Sequence, residues 1–589
     1  MAVNSYKSDE QSVEKSKRET LARLFRYLFQ YKLQIIGVLL LMGYCVAVSL
    51  INPLIIERAI DTHIRGNDYP GLVKLMIAAL VINVLVVFAV KLRMYVMAKV
   101  CNKILLTIRQ ELYTHIQTLD FQFFDSRPTG KILSRIIGDI NSLKDVLNNC
   151  VTTLIPDFLT VIAVVVIMFA KNPLLAAASL LSTPFMAIGT VLIEVKAHPR
   201  WQAFRKKSSN LNAFIHEDMS GMRVIQSFTA EEETNRTFDS LVHEHRNSFK
   251  SAVRISDAFG SVIDFTWGLG CICLYFTGIV ILGVDKVTLG TFLAFGTYIN
   301  MFWQPINNLS SFYNQIVTNI AGAERIFEVL DTEPEITDAA NVGEIGEIHG
   351  TVDFEHVSFS YDGEHKVLDD VSFHIKPGET IALVGPTGAG KTTIVNLISR
   401  FYDVQGGIVR IDGQDVKTVS IESLRRQMGI MTQDQFLFSG TIKENIRYGK
   451  LDATDEEIEA AAKAVNAHEF IMRLPKGYDT ELSERGGGLS IGQRQLLAFA
   501  RTMVSMPKIL ILDEATSSID TQTEVLVQQG IEQLLAGRTS FVIAHRLSTI
   551  KKADRIFVID DGRIIEEGSA AELIAKKGAY YNLYMASLR

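Results

Sequence analysis

The chain has 589 residues, of which 48% are hydrophobic and 21% charged, and its mean hydropathy is +0.19. A single compact domain is not expected at about four times the typical length of ~150 residues, and the composition excludes a disordered chain. The net charge of −6 does not argue for a nucleic-acid partner, and no basic stripe offsets it, so no such partner is expected. The five cysteines have no zinc-like spacing, so we interpret them as small buried hydrophobic residues in a reducing compartment.

The N-terminal residues 1–32 are predicted to be cytoplasmic and to contain an interfacial helix. Apolar residues recur at helical spacing between basic residues, which is typical of a helix lying on a membrane surface. They are Leu21, Leu24, Phe25, Leu28 and Phe29. An amphipathic core helix is the alternative. No cleaved signal peptide is predicted, because Met1–Lys17 has no apolar stretch.

Residues 33–320 are predicted to form a membrane domain with six helical spans, because six apolar segments are long enough to cross a hydrocarbon core of ~30 Å. The predicted spans are residues 33–56, 72–90, 151–170, 174–193, 262–282 and 289–312. Lys and Arg are concentrated before the first span and in the loops 91–149 and 194–257. The positive-inside rule therefore places both termini and these two loops in the cytoplasm. The loops are rich in helix formers, which predicts helical extensions of the spans.

The C-terminal residues 351–589, which follow a polar linker at 321–350, have a different pattern. Short β-rich runs alternate with helical patterns, which predicts an α/β domain. The runs are residues 352–359, 371–375, 380–384, 408–411, 509–512, 540–543 and 555–559.

A phosphate-binding loop is predicted directly after the apolar run 380–384. Residues 385–392 read G-P-T-G-A-G-K-T and match G-x-x-x-x-G-K-[ST] between a strand and a helix. The glycines allow backbone N–H groups to face phosphate oxygens, and the helix dipole favours the same anion. Lys391 is expected to reach the β- and γ-phosphates of ATP, and the Thr392 hydroxyl to coordinate Mg²⁺. The predicted ATP-binding residues are Gly385, Pro386, Thr387, Gly388, Ala389, Gly390, Lys391, Thr392 and Thr393.

An acidic pair closes the apolar run 509–512. Asp513 is predicted to hold Mg²⁺ through water, and Glu514 is predicted to be the general base for the attacking water. An acidic pair at a strand end is often only a solvated turn, but its combination with the phosphate-binding loop favours a catalytic function.

The pentapeptide Leu489-Ser490-Ile491-Gly492-Gln493 precedes a helical pattern. At this point the chain resembles the ATP-binding cassette (ABC) superfamily, whose signature is L-S-G-G-Q. The resemblance covers nearly the whole chain and implies an exporter-type half-transporter. Its fold would be a membrane α-helical bundle of six helices with long cytoplasmic extensions, fused to an α/β P-loop NTPase domain.

The resemblance also implies functions for single residues. Tyr361 would stack on adenine, and His545 would contact the γ-phosphate. Gln433 would sense Mg²⁺ as a catalytic and metal-contacting residue, while Asp520 lies in a loop that crosses to a partner cassette. Ser490, Gly492 and Gln493 would face the ATP bound by the partner. Phe123-Phe124-Asp125 and the Gly130 region resemble cytoplasmic-loop patterns of exporters.

Ile491 departs from the signature, because it occupies the position of the first glycine. A β-branched residue is bulky and stiff there, so closure of the signature on ATP should be poorer. The opposite face of the cassette retains Lys391, Asp513, Glu514 and His545. We therefore hypothesise a heterodimer with one hydrolytic and one degenerate ATP site. In the rival interpretation, Ile491 is tolerated in a homodimer.

The expected function is ATP-driven export of hydrophobic or amphipathic compounds, as in multidrug efflux, from a bacterial plasma membrane. The alternatives are a homodimeric lipid flippase or exporter and a non-transporting ATP-gated membrane protein, and the cargo class stays open. Asp157 and Asp264 fall within predicted spans, where ionisable residues are costly. They either face a cargo cavity or contact water near the span ends.

Overall fold

The computed structural model describes residues 17–283, 286–338, 342–432, 435–514, 521–544 and 550–587. These residues divide into two compact units. The helical unit contains residues 17–116 and 130–331, and the α/β unit contains residues 117–129 and the described residues from 332 onward.

Long helices dominate the chain before residue 331. In chain order they are α1 (Lys17–Phe29), α2 (Lys32–Arg58), α3 (Tyr69–Thr118), α4 (Phe121–Asp125), α5 (Thr129–Ser134), α6 (Ile140–Asn149), α7 (Ile155–Lys171), α8 (Pro173–Leu180), α9 (Thr183–Ser220), α10 (Met222–Ser227), α11 (Glu231–Phe276) and α12 (Leu289–Leu330). Short π-helical segments at Ala59–Ile64, Arg135–Asp139, Cys150–Leu154 and Thr277–Ile281 extend or join them.

Five helical stretches among the described residues are long and apolar enough to cross a membrane. They are Lys32–Ile64, Tyr69–Thr118, Thr129–Lys171, Pro173–Ser220 and Glu231–Ile281, and each contains most or all of one of the first five predicted spans. The sixth predicted span, residues 289–312, lies in α12, which is not among the five. Polar residues such as Asn300 and Asn308 lower the hydropathy of α12. The count of six spans therefore remains a prediction.

The interior of the helical unit is formed by apolar side chains from α2, α7, α8, α9, α11 and α12. Phe295 and Tyr298 are fully buried in it, and the Tyr298 hydroxyl donates to the Leu50 carbonyl at 2.8 Å. Large apolar side chains such as Leu40 and Val87 remain exposed on the outer surface. An exposed apolar surface of this kind is expected for a protein solvated by lipid.

A polar cluster joins one end of α2 to α7 and α12. Glu57 forms an ion pair with Lys171 and accepts a hydrogen bond from the Thr291 hydroxyl at 3.0 Å. Asp61 accepts a hydrogen bond from the backbone N–H of Gly290 at 2.9 Å, so it helps to cap the start of α12. The cluster therefore fixes three helices relative to one another at their ends.

The N-terminal helix α1 packs one face against α12. Leu24 and Leu28 are buried. The Arg23 guanidinium lies 4.4 Å from the ring centre of Phe327 and bonds Asp331 at 2.6 Å. The opposite face of α1 remains exposed, and its location at a lipid surface stays a prediction.

The segment predicted as a linker, residues 321–350, begins inside a helix. α12 continues to Leu330 because Ile326, Phe327 and Val329 are buried at helical spacing. From Thr332 onward the described part of this segment has no long helix or strand.

The α/β unit contains twelve strands among the described residues. They are β1 (Val352–Ser360), β2 (Lys366–Ile375), β3 (Thr380–Val384), β4 (Gly406–Ile411), β5 (Gln414–Asp415), β6 (Met428–Met431), β7 (Gly440–Thr441), β8 (Glu481–Leu482), β9 (Ile509–Glu514), β10 (Thr539–Ala544), β11 (Arg555–Asp560) and β12 (Arg563–Gly568). Each of the seven β-rich runs predicted from the sequence lies within one of them. The strands form sheets in the orders β2-β1-β4-β5, β12-β11-β3-β10-β9-β6 and β7-β8.

The six-stranded sheet is the core of the α/β unit. Its strands β11, β3, β10, β9 and β6 are parallel, and only β12 is antiparallel to its neighbour. Ile381 and Leu383 of β3 pack into one apolar cluster, while Ala382 and Val384 pack into the other. Both faces are covered, which explains why β3 and β9 read as continuous apolar runs.

Helices surround this sheet. They are α13 (Lys391–Ile398), α14 (Ile421–Arg425), α15 (Ile442–Arg447), α16 (Asp455–Ala464), α17 (His468–Met472), α18 (Ile491–Val504), α19 (Thr521–Leu535), α20 (Ala570–Lys576) and α21 (Ala579–Ser587). Short 3-10 turns occur at Val416–Thr418, Gly477–Asp479 and Glu484–Gly486.

Candidate active site

The carboxyl end of the parallel sheet brings distant parts of the sequence together. β10 lies between β3 and β9 and is parallel to both. Strand β3 ends at Val384, directly before the glycine-rich loop, and β9 ends in Asp513 and Glu514. The loop and the acidic pair therefore meet at one edge of the sheet, which is where open α/β sheets bind ligands.

The glycine-rich loop has a backbone that only glycine can supply at two positions. Gly385 has φ +153°, and a Cβ there would lie 2.1 Å from the Ile559 carbonyl oxygen. Gly390 has φ +105°, and a Cβ there would lie 2.7 Å from Leu368 Cδ2. Helix α13 begins at the next residue. The loop thus presents backbone N–H groups and a helix N-terminus together, which suits a phosphate chain.

Lys391 lies across this loop. Its side chain is only 8% exposed, and its Nζ donates to the carbonyls of Gly385 at 2.9 Å and Pro386 at 2.8 Å. Burial lowers the pKa of the Lys391 ammonium, and the Asp513 carboxylate opposes that shift. Thr392 is exposed in the first turn of α13.

Tyr361 is held beside the same helix. Its hydroxyl forms a hydrogen bond with the Thr393 hydroxyl at 3.1 Å, and Thr393 is buried. The Tyr361 ring meets the edge of Tyr402 with ring centres 4.9 Å apart. The ring is half-buried, so it is available for stacking on a planar base. Together with the loop and Lys391, these residues fit a nucleoside triphosphate.

The signature residues form a helix start. Ser490 is the N-cap of α18, its hydroxyl accepts from the Gln493 N–H at 3.2 Å, and the Gln493 side chain accepts from the Ser490 N–H at 2.9 Å. Ile491 is the first residue of α18 and is 45% exposed, whereas Gly492 is buried. The body of α18 packs against α15, α16 and α19.

Three predicted site residues lie outside the described residues: Gln433, Asp520 and His545. The backbone of Glu514 is described and pairs with Ala544 of β10. Its side chain is not described. The catalytic assignments of these residues therefore stay predictions.

Sequence reasoning did not identify the contact between Tyr402 and Asp125. The Tyr402 hydroxyl donates to Asp125 Oδ2 at 2.6 Å, although the two residues are 277 positions apart. Both belong to the α/β unit, because residues 117–129 cluster with it. The Phe123-Phe124-Asp125 pattern was a visible signal on one side, but nothing in the local sequence marked Tyr402 as its partner.

Comparisons with known proteins identify both halves of the chain. Residues 33–306 match the family profile of the ABC transporter transmembrane region, and residues 368–517 match that of the ABC transporter. The second match contains the glycine-rich loop, the signature and Asp513.

Curated bacterial relatives match nearly the full chain. An uncharacterized ABC transporter ATP-binding protein of Bacillus subtilis, YknV, is 44% identical over 541 residues, which cover 92% of this chain and 90% of that protein. A fatty acid ABC transporter ATP-binding/permease protein of Mycobacterium tuberculosis is 38% identical, covering 89% of this chain and 82% of the relative. A Staphylococcus aureus protein named for multidrug export is 36% identical, and the match covers 96% of this chain and 99% of that protein.

A solved structure has the same fold. The structure of a bacterial Atm1-family ABC exporter with ATP bound superposes with a TM-score of 0.77 at 29% identity. The superposition covers 95% of this chain and 98% of the exporter chain.

Proposed function

Because this chain belongs to the ABC transporter family, as a multi-pass half-transporter of the exporter type, we propose that it exports hydrophobic or amphipathic compounds as one half of a heterodimer. Its cassette is an ATPase coupled to export. The bacterial relatives support a location in the plasma membrane. In this proposal the sixth span lies in α12.

ATP hydrolysis is assigned to the carboxyl edge of the sheet. The glycine-rich loop and Lys391 would hold the phosphates, and Tyr361 would stack on the base. Among the described residues, no group of three or more His, Cys, Asp or Glu side chains is arranged to hold a metal alone. Mg²⁺ would therefore be held by Thr392 and Asp513 together with phosphate oxygens, where it neutralises phosphate charge. Glu514 would orient and deprotonate the attacking water.

The contrast between the two faces of the cassette supports the heterodimer. The P-loop face has its full set of residues, whereas the signature has Ile491 at the helix end that would approach the partner's γ-phosphate. A hydrolytic face is useful only opposite a competent signature. The natural partner would therefore carry an intact L-S-G-G-Q and complete one hydrolytic site with this chain.

Exposed apolar surfaces are available for a second subunit. On the α/β unit, Phe436, Phe438 and Tyr448 form an exposed aromatic patch, with ring centres of successive pairs 5.1 and 4.7 Å apart. On the helical unit, Val224 and Phe228 are exposed at the turn between α9 and α11. Aromatic patches of this kind are typical of protein interfaces.

The cargo assignment rests on the helical unit and the relatives. Asn308 donates to Asp157 at 3.0 Å, so this carboxylate is partly satisfied inside the bundle, while Asp264 is exposed on α11. A carboxylate between helices suits cationic amphipathic compounds. The relative named for multidrug export supports the same class.

A homodimeric lipid exporter is the second candidate. Relatives named as a fatty acid transporter and as a lipid A-core flippase favour it. The structure contributes one observation: residue 491 lies at the first position of a regular helix, a position that a β-branched residue can adopt without strain.

One measurement separates the two proposals. The chain is expressed without a second half-transporter, purified, and its ATPase is compared with that of the Glu514→Gln and Lys391→Ala variants. The heterodimer predicts turnover close to that of these inactive controls. Turnover far above them, with no second polypeptide in the preparation, contradicts the heterodimer and favours the homodimer. Dye efflux and lipid flipping in vesicles with the co-purifying partner, with Asp157→Asn as the test variant, then identify the cargo class.

A further inference from the structure

The α/β unit contains a cavity of about 260 Å³, and none of the described residues that line it belongs to the predicted ATP site. Most of its lining is apolar, from the side chains of Leu119, Phe121, Phe124, Ile336, Phe401 and Ile421. An apolar cavity of about 150 Å³ can already hold benzene, whereas drug-sized ligands occupy about 300–1,000 Å³. The cavity therefore fits a molecule with a single ring and is too small for a drug-sized cargo.

The aromatic side chains of the cavity favour a planar ligand. Phe121 and Phe124 belong to α4, whereas Phe401 lies shortly after the end of α13. Phe121 stacks on Phe401 with ring centres 4.9 Å apart. Phe121 and Phe124 nevertheless remain 43% and 39% exposed. An aromatic ring in the cavity would pack against these side chains and remove part of their apolar surface from water.

Arg425 supplies the cationic group of the lining. Its Nε donates to the Ser399 carbonyl at 3.1 Å and its Nη2 to the Arg400 carbonyl at 2.6 Å, so the guanidinium is held in place. The guanidinium carbon lies 4.7 Å from the ring centre of Phe401. Among the described residues, no acceptor bonds its Nη1 and no carboxylate forms an ion pair with it. One nitrogen of a fixed, half-buried cation is therefore left for an acceptor.

The lining also contains a carboxylate, that of Asp120, but both of its oxygens are already used. Its Oδ1 accepts the N–H of Phe123 at 3.1 Å, as the N-cap of α4, and its Oδ2 accepts the N–H of Glu335 at 2.7 Å. Backbone donors thus stabilise this negative charge within the wall of the cavity. The charge that lacks a partner is that of Arg425, which favours an anionic ligand.

We propose that this cavity is a binding site for a small aromatic carboxylate. The ring of the ligand would lie beside Phe121, Phe124 and Phe401, and its carboxylate would accept a hydrogen bond from Nη1 of Arg425. The whole site belongs to the α/β unit, so a single cassette would hold this ligand without a second subunit. The proposal does not depend on the cargo or on the dimer proposed above.

The test uses the full chain in detergent with 4-fluorobenzoate as the probe, and binding is followed by the broadening of its fluorine NMR line. A ligand of about ten non-hydrogen atoms should bind with a dissociation constant of about 0.1–1 mM. The neutral compound 4-fluorobenzamide has nearly the same shape and should bind at least about tenfold more weakly, because it lacks the charge. Arg425→Gln should weaken the binding of 4-fluorobenzoate by a similar factor. Ile336→Trp, which fills the cavity, should abolish it.

Two control variants show where the probe binds. Arg426 is the next residue after α14, is exposed and forms an ion pair with Glu422, so Arg426→Gln should leave the binding of 4-fluorobenzoate unchanged. Lys391→Ala removes the cation of the glycine-rich loop and should also leave it unchanged. Loss of probe binding in Lys391→Ala would assign the probe to that loop and overturn the proposal.

Three further results would contradict the cavity site. They are equal affinities for the two probes, full binding in folded Ile336→Trp, and no binding to the folded wild-type chain at about 10 mM probe. If Arg425→Gln fails to fold, the comparison of Ile336→Trp with Ile336→Val decides, because valine leaves the cavity open and should retain binding.

Discussion

Replacing Ile491 with glycine tests the reason for the hypothesised heterodimer. The capping box of α18 uses the N–H groups of Ser490 and Gln493. The N–H groups of Ile491 and Gly492 occupy the first turn, where helix N–H groups have no intrahelical partner. They are the donors that a phosphate from a partner cassette could reach, and the Ile491 side chain projects beside them.

The expected effect follows from this geometry. If the Ile491 side chain prevents one N–H contact with the phosphate, the loss corresponds to about 1.5–3 kcal/mol for a charge-assisted hydrogen bond, or about 10- to 100-fold in rate. Ile491→Gly in the chain expressed alone should therefore raise ATPase turnover by up to about 100-fold. The helix should lose only about 0.5 kcal/mol, because glycine is a poorer helix former than isoleucine.

The assay measures ATPase turnover of purified wild type, Ile491→Gly and Ile491→Ala. Ile491→Ala keeps Cβ without the helix penalty and should give an intermediate increase. The double variant with Glu514→Gln provides the background. Equal turnover of wild type and Ile491→Gly, with both proteins folded and binding nucleotide, would refute the steric reasoning.

Two further predictions concern stability of the α/β unit. Asp412 accepts hydrogen bonds from three consecutive backbone N–H groups, at residues 349–351. Asp412→Ala should lower the free energy of unfolding by about 2 kcal/mol in denaturant titration, and Asp412→Asn by less, whereas equal losses would contradict this account. Hydrogen bonds from Lys366 and Arg563 lower the pKa of Asp369 from 3.8 to about 2. A carboxyl group whose pKa is lowered by folding stabilises the fold at pH values above its ordinary pKa, and this stabilisation is lost as the pH falls. The melting temperature of wild type should therefore exceed that of Asp369→Asn by less and less between about pH 4 and pH 2. A constant difference in melting temperature over this range would refute the explanation.

The sequence predicts a nucleotide site because the residues of such a site follow local rules. A buried parallel strand reads as a continuous apolar run, and a tight phosphate loop needs glycines at fixed spacing. In the structure, the loop after β3 and Asp513 in β9 lie at the same edge of the sheet. The strands that the sequence did not predict are short, such as β6, or strongly polar, such as β12 with two glutamates.

The sequence could not predict contacts between distant segments. The Tyr402–Asp125 bond and the packing of Arg23 on Phe327 depend on how helices dock, and neither leaves a periodic pattern in the chain. The apolar pattern of residues 289–312 likewise did not indicate a hydrogen bond inside the bundle. The span predicted in α12 includes Asn308, whose side-chain amide donates to Asp157.

The glycine-rich loop and the signature at the start of α18 differ in what restricts their residues. At Gly385 and Gly390 the backbone and neighbouring atoms exclude any side chain, so these positions are fixed by the fold of a single chain. Residue 491 is a regular helix start with an exposed side chain, and the fold would accept most residues there. The fold of the subunit therefore does not require glycine at position 491. Only a ligand or a second subunit that approaches this helix end would favour glycine there. In the proposed dimer, residue 491 is therefore restricted by the partner's nucleotide and not by the fold of its own subunit.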